Sequence, residues 1–120
     1  MNILADFVHV ANVQVNGDLL RATLSPCRES VVYQAHFPGN PVTPGVLMIG
    51  IVVELLKKYF NRSIQLRRAK NVKFLSIMTP DDIEGVTVEI TSSPKGIVSG
   101  VFQKGETIYA KMKIEIDFMQ

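Results

Sequence analysis

Residues 44–60 decide the fold, and they read PGVLMIGIVVELLKKYF. Pro44 stands where a helix accepts a proline in its first turn, and Thr43 before it is a residue type that caps helix N-termini. The lysine pair at 57–58 suits the negative C-terminal end of a helix, and Asn61 suits a helix stop. Because the first half of this helix is apolar on every side, we expect other elements to wrap it.

Strand patterns lie on both sides of the helix. Asn16-Gly17 is the strongest short-range hairpin signal and predicts a tight turn with positive φ. Downstream, apolar residues alternate with polar ones, as in half-buried antiparallel strands. The strands are predicted at about 7–15, 19–24, 72–74, 86–91, 97–102 and 108–118, with a short, partly apolar segment at 30–35. The pattern predicts an α+β fold in which a curved antiparallel sheet wraps one long central helix.

The bulk properties narrow the class of protein. With 120 residues, of which 47% are hydrophobic, we expect one domain spanning 1–120. A formal net charge of +2, without basic-aromatic patches, does not favour nucleic acid. The longest apolar run, 46–53, is too short to cross a bilayer, and the residues at 1–6 lack the pattern of a secretory signal. We therefore expect a cytoplasmic protein that binds neither nucleic acid nor membrane.

The loop before the helix carries the most chemistry. Residues 36–47 read HFPGNPVTPGVL, so three prolines restrict the loop that presents His36. Histidine titrates near neutral pH and serves readily as a general base. The free N–H groups near Gly45 and Val46, at the helix N-terminus, favour a developing negative charge. Gly45 also lets a substrate approach the backbone closely.

These residues carry a resemblance to a known family. The stretch 36–47 resembles the HFPxxPxxPGVL signature of the (3R)-hydroxyacyl-acyl-carrier-protein dehydratases of fatty-acid synthesis, which have the hotdog fold. Val72-Lys73-Phe74 and the turn at 79–82 resemble the family's later strand and its Pro-Gly-Asp turn, with Asp81 in place of the glycine. The resemblance covers roughly 7–116 and is most specific in the loop.

The resemblance implies a reaction and roles for individual residues. His36 would take the α-proton of a β-hydroxyacyl thioester, a carboxyl group would protonate the departing hydroxyl, and a trans-2-enoyl thioester would form. Substrate would lie against Phe37, Gly45, Val46 and Gly50. The implied substrate is an acyl thioester carried by acyl carrier protein. No metal or other cofactor is needed, since one base, one acid and oriented dipoles suffice.

The chain departs from the family where the second catalytic group belongs. The family places its acidic residue on the helix at the position that Gly50 occupies here. Glu54 lies one turn further along on the same helical face, and helical side chains lean back toward the N-terminus. We therefore expect Glu54 to act as the acid in the space that Gly50 leaves open; the other reading is a structural or solvated carboxylate.

Two other functions remain open. A hotdog thioesterase could use Glu54 as base or nucleophile, and a degenerate hotdog protein, favoured by Gly50, could bind acyl thioesters without turning them over. The resemblance also implies a homodimer or higher homo-oligomer, with two sheets joined edge to edge and the acyl tunnel at the interface. Unpaired sheet edges favour such pairing as well.

The remaining polar residues give weaker signals. Two histidines 27 positions apart and one cysteine make no zinc spacing, so no metal site is expected. His9 is interpreted as structural or surface, and Cys27 as a packing residue. A basic cluster follows the helix and is either a solvated face or a docking surface for an acidic carrier protein. Its members are Arg62, Arg67, Arg68, Lys70 and Lys73.

Overall fold

The computed structural model describes residues 3–29, 43, 45–79 and 81–119. His36, Phe37, Pro44 and the whole predicted segment at 30–35 lie outside the described residues, so their predicted roles stay predictions. The described helices and strands are α1 (Ile3–Asp6), β1 (Val8–Asn16), β2 (Leu19–Pro26), α2 (Gly45–Phe60), β3 (Ser63–Phe74), β4 (Val86–Ser92), β5 (Ile97–Lys104) and β6 (Thr107–Met119). A short 3₁₀-helix (Asp81–Ile83) precedes β4.

The six strands form one antiparallel sheet in the order β1-β2-β4-β5-β6-β3. The inner faces of β2, β4, β5 and β6 supply alternating buried residues, as the period-two pattern predicts. Helix α2 contributes seven buried side chains to the same hydrophobic cluster. The predicted α+β arrangement of one long helix against an antiparallel sheet is therefore confirmed.

Helix α2 is not enclosed on every side. Its buried residues are Leu47, Met48, Ile51, Val52, Val53, Leu55 and Leu56. Val46 is 78% exposed, and Gly50 and Glu54, at successive turns along the same face, are only partly buried. A single sheet covers only one side of a helix, so this stripe of Val46, Gly50 and Glu54 stays accessible. The expectation that the helix is wrapped all round is wrong for this face.

The start of α2 differs from the predicted cap. The Thr43 hydroxyl is buried and makes no hydrogen bond within the part of the chain that the structure describes, so it does not accept a bond from the first turn of the helix. Thr43 instead donates its backbone N–H to the Met78 carbonyl at 2.6 Å. This bond ties the entry of the helix to the segment after β3. At the other end, Asn61 adopts a φ of 51°, as expected for a residue that stops a helix.

Two strand boundaries differ from the sequence prediction. The β1–β2 turn consists of Gly17 and Asp18, because Asn16 still pairs with Leu19. Gly17 has the predicted positive φ, 59°. Strand β3 begins at Ser63 rather than near Val72, so most of the basic cluster lies on this strand.

Among the described residues, no helix is long and apolar enough to cross a bilayer.

Candidate functional site

A cavity of about 360 Å³ opens at the N-terminus of α2. Two stretches line it, the first turn of the helix and the segment that follows β3. The lining residues are Thr43, Gly45, Met48, Phe74, Leu75, Ser76, Ile77 and Met78. Of these, Phe74, Leu75 and Ile77 remain more than half exposed although they are large and apolar. An accessible apolar pocket beside a helix N-terminus can hold an apolar chain that ends in a polar carbonyl group.

Gly45 allows the ring of Phe74 to lie directly on the helix backbone. A Cβ at this position would stand 2.9 Å from Cε2 and 3.0 Å from Cε1 of the ring, and it would overlap Cζ. A real Cβ does not tolerate such contacts, so the close approach requires glycine. Phe74 therefore packs against the first turn of α2. The N–H groups of this turn are the ones expected to stabilise a developing negative charge.

Replacing Gly45 with Ala tests this contact. We expect Gly45→Ala to lower the free energy of unfolding by about 1 kcal/mol, because the new Cβ must displace the ring. In a Phe74→Leu background the same replacement should be neutral or stabilising, since alanine favours the helix over glycine by up to about 1 kcal/mol. Urea unfolding of the four proteins in this cycle measures the coupling. Equal losses in the two backgrounds would contradict the assigned contact.

The segment after β3 is fixed by backbone hydrogen bonds. The N–H groups of Leu75 and Ser76 both donate to the carbonyl of Tyr109, at 2.9 and 3.4 Å. Burial, and then the charge of Asp82, raise the pKa of the Tyr109 hydroxyl, so this tyrosine stays neutral at physiological pH. The two hydrogen bonds to Tyr109 hold the cavity wall against the sheet. The bond from Thr43 to Met78 holds the same wall against the start of α2.

A reciprocal pair of hydrogen bonds ends this wall. The Asp82 carboxylate accepts from the Thr79 N–H at 2.9 Å, and the Thr79 hydroxyl accepts from the Asp82 N–H at 3.1 Å. This arrangement is a capping box on the 3₁₀-helix. The Thr79 N–H, then the Thr79 side chain, and more weakly the charge of Lys104, lower the pKa of Asp82. Lys104 also donates to the carbonyls of Asp82 and Glu84, at 2.7 and 2.9 Å.

The capping box predicts a pH-dependent stability difference. Asp82→Ala should reduce the free energy of unfolding at neutral pH by about 1 kcal/mol, the usual cost of losing a cap. The folded-state pKa of Asp82 is lowered, so its contribution is full above the unfolded pKa and is lost as pH falls through the folded pKa. The difference from the parent should therefore shrink below about pH 4. Asp81→Ala, at an exposed carboxylate paired with Arg28 at 3.2 Å, is the matched control; a larger loss for this control would contradict the capping role.

Glu54 lies outside this cavity lining. Its carboxylate accepts a hydrogen bond from Lys57 at 3.3 Å, and its side chain is 37% exposed. Gly50 lies one turn nearer the N-terminus on the same uncovered stripe. The described residues thus place Gly45 in the cavity lining, while Val46, Gly50 and Glu54 lie outside that lining, along the accessible face of the helix. Of the predicted site, these four residues can be located, and their roles stay predictions.

Most of the cavity wall was not predicted from the sequence. Phe74 was assigned only to a strand, and Thr43 only to a cap. The available signal was the stretch FLSIM at 74–78, whose apolar residues follow β3 without a regular period. Such a segment is too apolar for an ordinary surface loop.

The architecture and the comparisons with known proteins indicate the same fold. A six-stranded antiparallel sheet packed on one long helix defines the hotdog fold. A chain of the dehydratase heterocomplex ApeI:P from Xenorhabdus doucetiae has the same fold, with a TM-score of 0.73 over 91% of this chain and 96% of that chain, at 17% identity. The family model described as ApeI dehydratase matches residues 12–113. The chain belongs to the ApeI-like dehydratase family.

Curated relatives extend the similarity to enzymes with named substrates. The 3-hydroxyacyl-[acyl-carrier-protein] dehydratase FabZ of Clostridium acetobutylicum is 35% identical over 79 residues, which are 58% of this chain. The FabZ of Levilactobacillus brevis is 29% identical over 101 residues, covering 77% of this chain and 68% of that protein. The chain spans about half the length of the first curated relatives that it matches, 56% for the Clostridium protein.

Proposed function

We propose that the chain is a dehydratase of β-hydroxyacyl thioesters, with His36 as the general base. The observation that carries this proposal is the cavity at the N-terminus of α2, where an apolar wall that includes the Phe74 ring packs against the first turn of the helix at Gly45. Membership of a dehydratase family supports the same reaction class. The loop with His36 precedes this helix directly in sequence.

The proposed reaction eliminates one molecule of water. The imidazole of His36 removes the α-proton, and the electron pair moves toward the thioester carbonyl. N–H groups at the start of α2 stabilise the resulting oxygen charge, because they are oriented before the reaction begins. The C–O bond at the β-carbon then breaks as an acid protonates the departing hydroxyl.

We assign the acid to Glu54. Three observations support this assignment. Glu54 shares an accessible stripe of α2 with Gly50, which carries no side chain to fill the position where the family has its acid. Its partner Lys57 is itself partly exposed, so the ion pair is weak and can open. A substrate or a second subunit can reach this face, because the sheet does not cover it.

We further propose a homodimer in which β3 joins a second copy. β3 is an edge strand, and among its residues only Ile64 is buried while Val72 is partly buried. Edge strands of this length are normally paired or covered. The solved structure from Xenorhabdus doucetiae is titled a heterocomplex, so a related second subunit is the alternative partner. Light scattering coupled to size exclusion distinguishes both from a monomer, which would contradict the proposal.

The carrier protein would meet a basic surface. In the register of the neighbouring strands β3 and β6, Lys73 lies opposite Lys111 and Asn71 lies opposite Lys113. These lysines are exposed. Like charges on paired strands oppose each other, so an acidic partner would relieve the repulsion. We propose that acyl carrier protein, named in the relatives, delivers the substrate to this chain.

One observation favours a second candidate function, the binding of acyl thioesters without turnover. Gly50 occupies the family's acid position, and the nearest carboxylate on the stripe is held by Lys57. In that case the cavity and the helix N-terminus would bind the thioester, but no group would protonate the hydroxyl.

A single assay separates the candidates. The purified protein is incubated with a 3-hydroxyacyl thioester of pantetheine while enoyl-thioester absorbance and thiol release are followed together. Enoyl absorbance without thiol supports the dehydratase. Thiol release identifies a thioesterase, and saturable binding with neither signal identifies a binding protein. Either of these last two results would overturn the proposed reaction.

A further inference from the structure

A cluster of three potential metal ligands lies at the far end of β1 and β2 from their hairpin. The imidazole Nε2 of His9 stands 2.9 Å from Oε1 of Glu29, and Sγ of Cys27 stands 3.6 Å from the same oxygen. The three ligand atoms all lie within 4.8 Å of one another. No other such group of three or more occurs among the described residues.

The backbone of the sheet places these side chains together. β1 and β2 pair antiparallel, with Val8 opposite Pro26 and His9 opposite Ser25. Immediately beyond the last pair, the N–H of Cys27 donates to the carbonyl of Phe7 at 2.9 Å. The pairing therefore fixes where His9 stands relative to the residues that leave β2. Linear spacing could not show this site, since its members come from strand β1 and from the segment after β2.

The ligand set suits a divalent metal of the zinc type. Zinc bonds of roughly 2.0 Å to nitrogen and oxygen and 2.3 Å to sulfur place tetrahedral ligands about 3.3–3.8 Å apart. The 3.6 Å between Cys27 Sγ and Glu29 Oε1 falls in that range. His9 and Glu29, at the hydrogen-bond distance of 2.9 Å, would move slightly apart to bind a metal, which their exposed side chains allow. His9 and Glu29 are 53% and 72% exposed, while Cys27 is only 4% exposed. A metal could thus enter from solvent and be held against a buried sulfur.

We propose that His9, Cys27 and Glu29 form a binding site for a divalent transition metal such as Zn²⁺, with a fourth position open to water. The bound ion would join edge strand β1 to the segment that leaves β2. This site is separate from the cavity at α2, and the proposed dehydration needs no metal. The metal site and the proposed function can therefore fail independently.

Cobalt provides a direct test, because a thiolate bound to Co²⁺ gives a charge-transfer absorption band. The chelator-treated full chain is titrated with Co²⁺ and then with Zn²⁺ as competitor. We expect one equivalent of Co²⁺ per chain, a thiolate band, and displacement of that band by Zn²⁺. Cys27→Ser should remove the band, and His9→Ala and Glu29→Gln should each weaken binding at least tenfold.

Controls separate this site from adventitious binding. His36→Ala removes the only other histidine, and Glu106→Gln removes a carboxylate in an exposed turn; both should bind Co²⁺ as the parent does. Zn²⁺ should raise the melting temperature of the parent but not of His9→Ala, a variant at an exposed side chain that does not depend on core packing. Absence of binding, or a band that survives both His9→Ala and Glu29→Gln, would overturn the site.

Discussion

His36→Ala should reduce kcat/KM for dehydration of a 3-hydroxyacyl thioester by about a thousandfold. General bases contribute factors of roughly 10² to 10⁴, and the chain offers only one other histidine, His9, which pairs with Glu29 near the start of β1. Thermal unfolding should stay close to that of the parent, so the loss would be chemical rather than structural. Steady-state kinetics monitored by enoyl absorbance measures the effect.

Asn40→Ala is the matched control for this loss. Asn40 belongs to the same proline-rich stretch of sequence but to a variable position of the HFPxxPxxPGVL signature, so its replacement should leave kcat/KM within about twofold. If His36→Ala retained activity, or if the two variants lost activity equally, His36 would not be the base. The stretch around His36 would then have a structural role and no catalytic one.

Glu54→Gln should lower kcat/KM by about a hundredfold, within the range for loss of a general acid. The amide keeps the size of the side chain but cannot supply a proton to the departing hydroxyl. The substitution also breaks the ion pair with Lys57, but an exposed i,i+3 pair contributes only about 0.3–0.5 kcal/mol. Folding should therefore be nearly unchanged, and kcat should fall more than KM changes.

Lys57→Gln separates the proton donor from the ion pair. It breaks the same 3.3 Å contact but leaves the carboxyl group of Glu54 in place, so activity should be retained. If Lys57→Gln lowered kcat/KM as much as Glu54→Gln does, the role of Glu54 would be structural. Full activity in Glu54→Gln would show that the acid comes from another group.

The elements with regular periods could be predicted from sequence. The helix predicted at 44–60 is found as Gly45–Phe60, and the alternation at 108–118 marks β6 within a few residues. Both patterns are strong because one face of each element lies in a shared core. β3 was missed over most of its length because it is an edge strand on which only Ile64 is buried and only Val72 is partly buried. Without a buried face it has no hydrophobic period.

The candidate site could be predicted only where it is local in sequence. The place of Gly45 follows from the helix start, whereas its contact with Phe74 joins residues from separate elements and needs the fold. The same holds for Thr43, whose buried backbone bonds Met78 instead of letting its hydroxyl cap the helix. His9, Cys27 and Glu29 meet only through the register of two strands. Contacts of this kind depend on tertiary packing, which a single sequence pattern does not determine.

Mass spectrometry of a carrier-bound substrate tests the proposed dehydration most directly. Acyl carrier protein loaded with a 3-hydroxyacyl chain is incubated with the purified protein, and the mass of the intact carrier is followed with time. We predict conversion of the hydroxyacyl form to a form lighter by one water, with the thioester intact, until equilibrium is reached. A hydroxyacyl carrier that stays unchanged, or a carrier that loses its whole acyl chain, would contradict the proposed function.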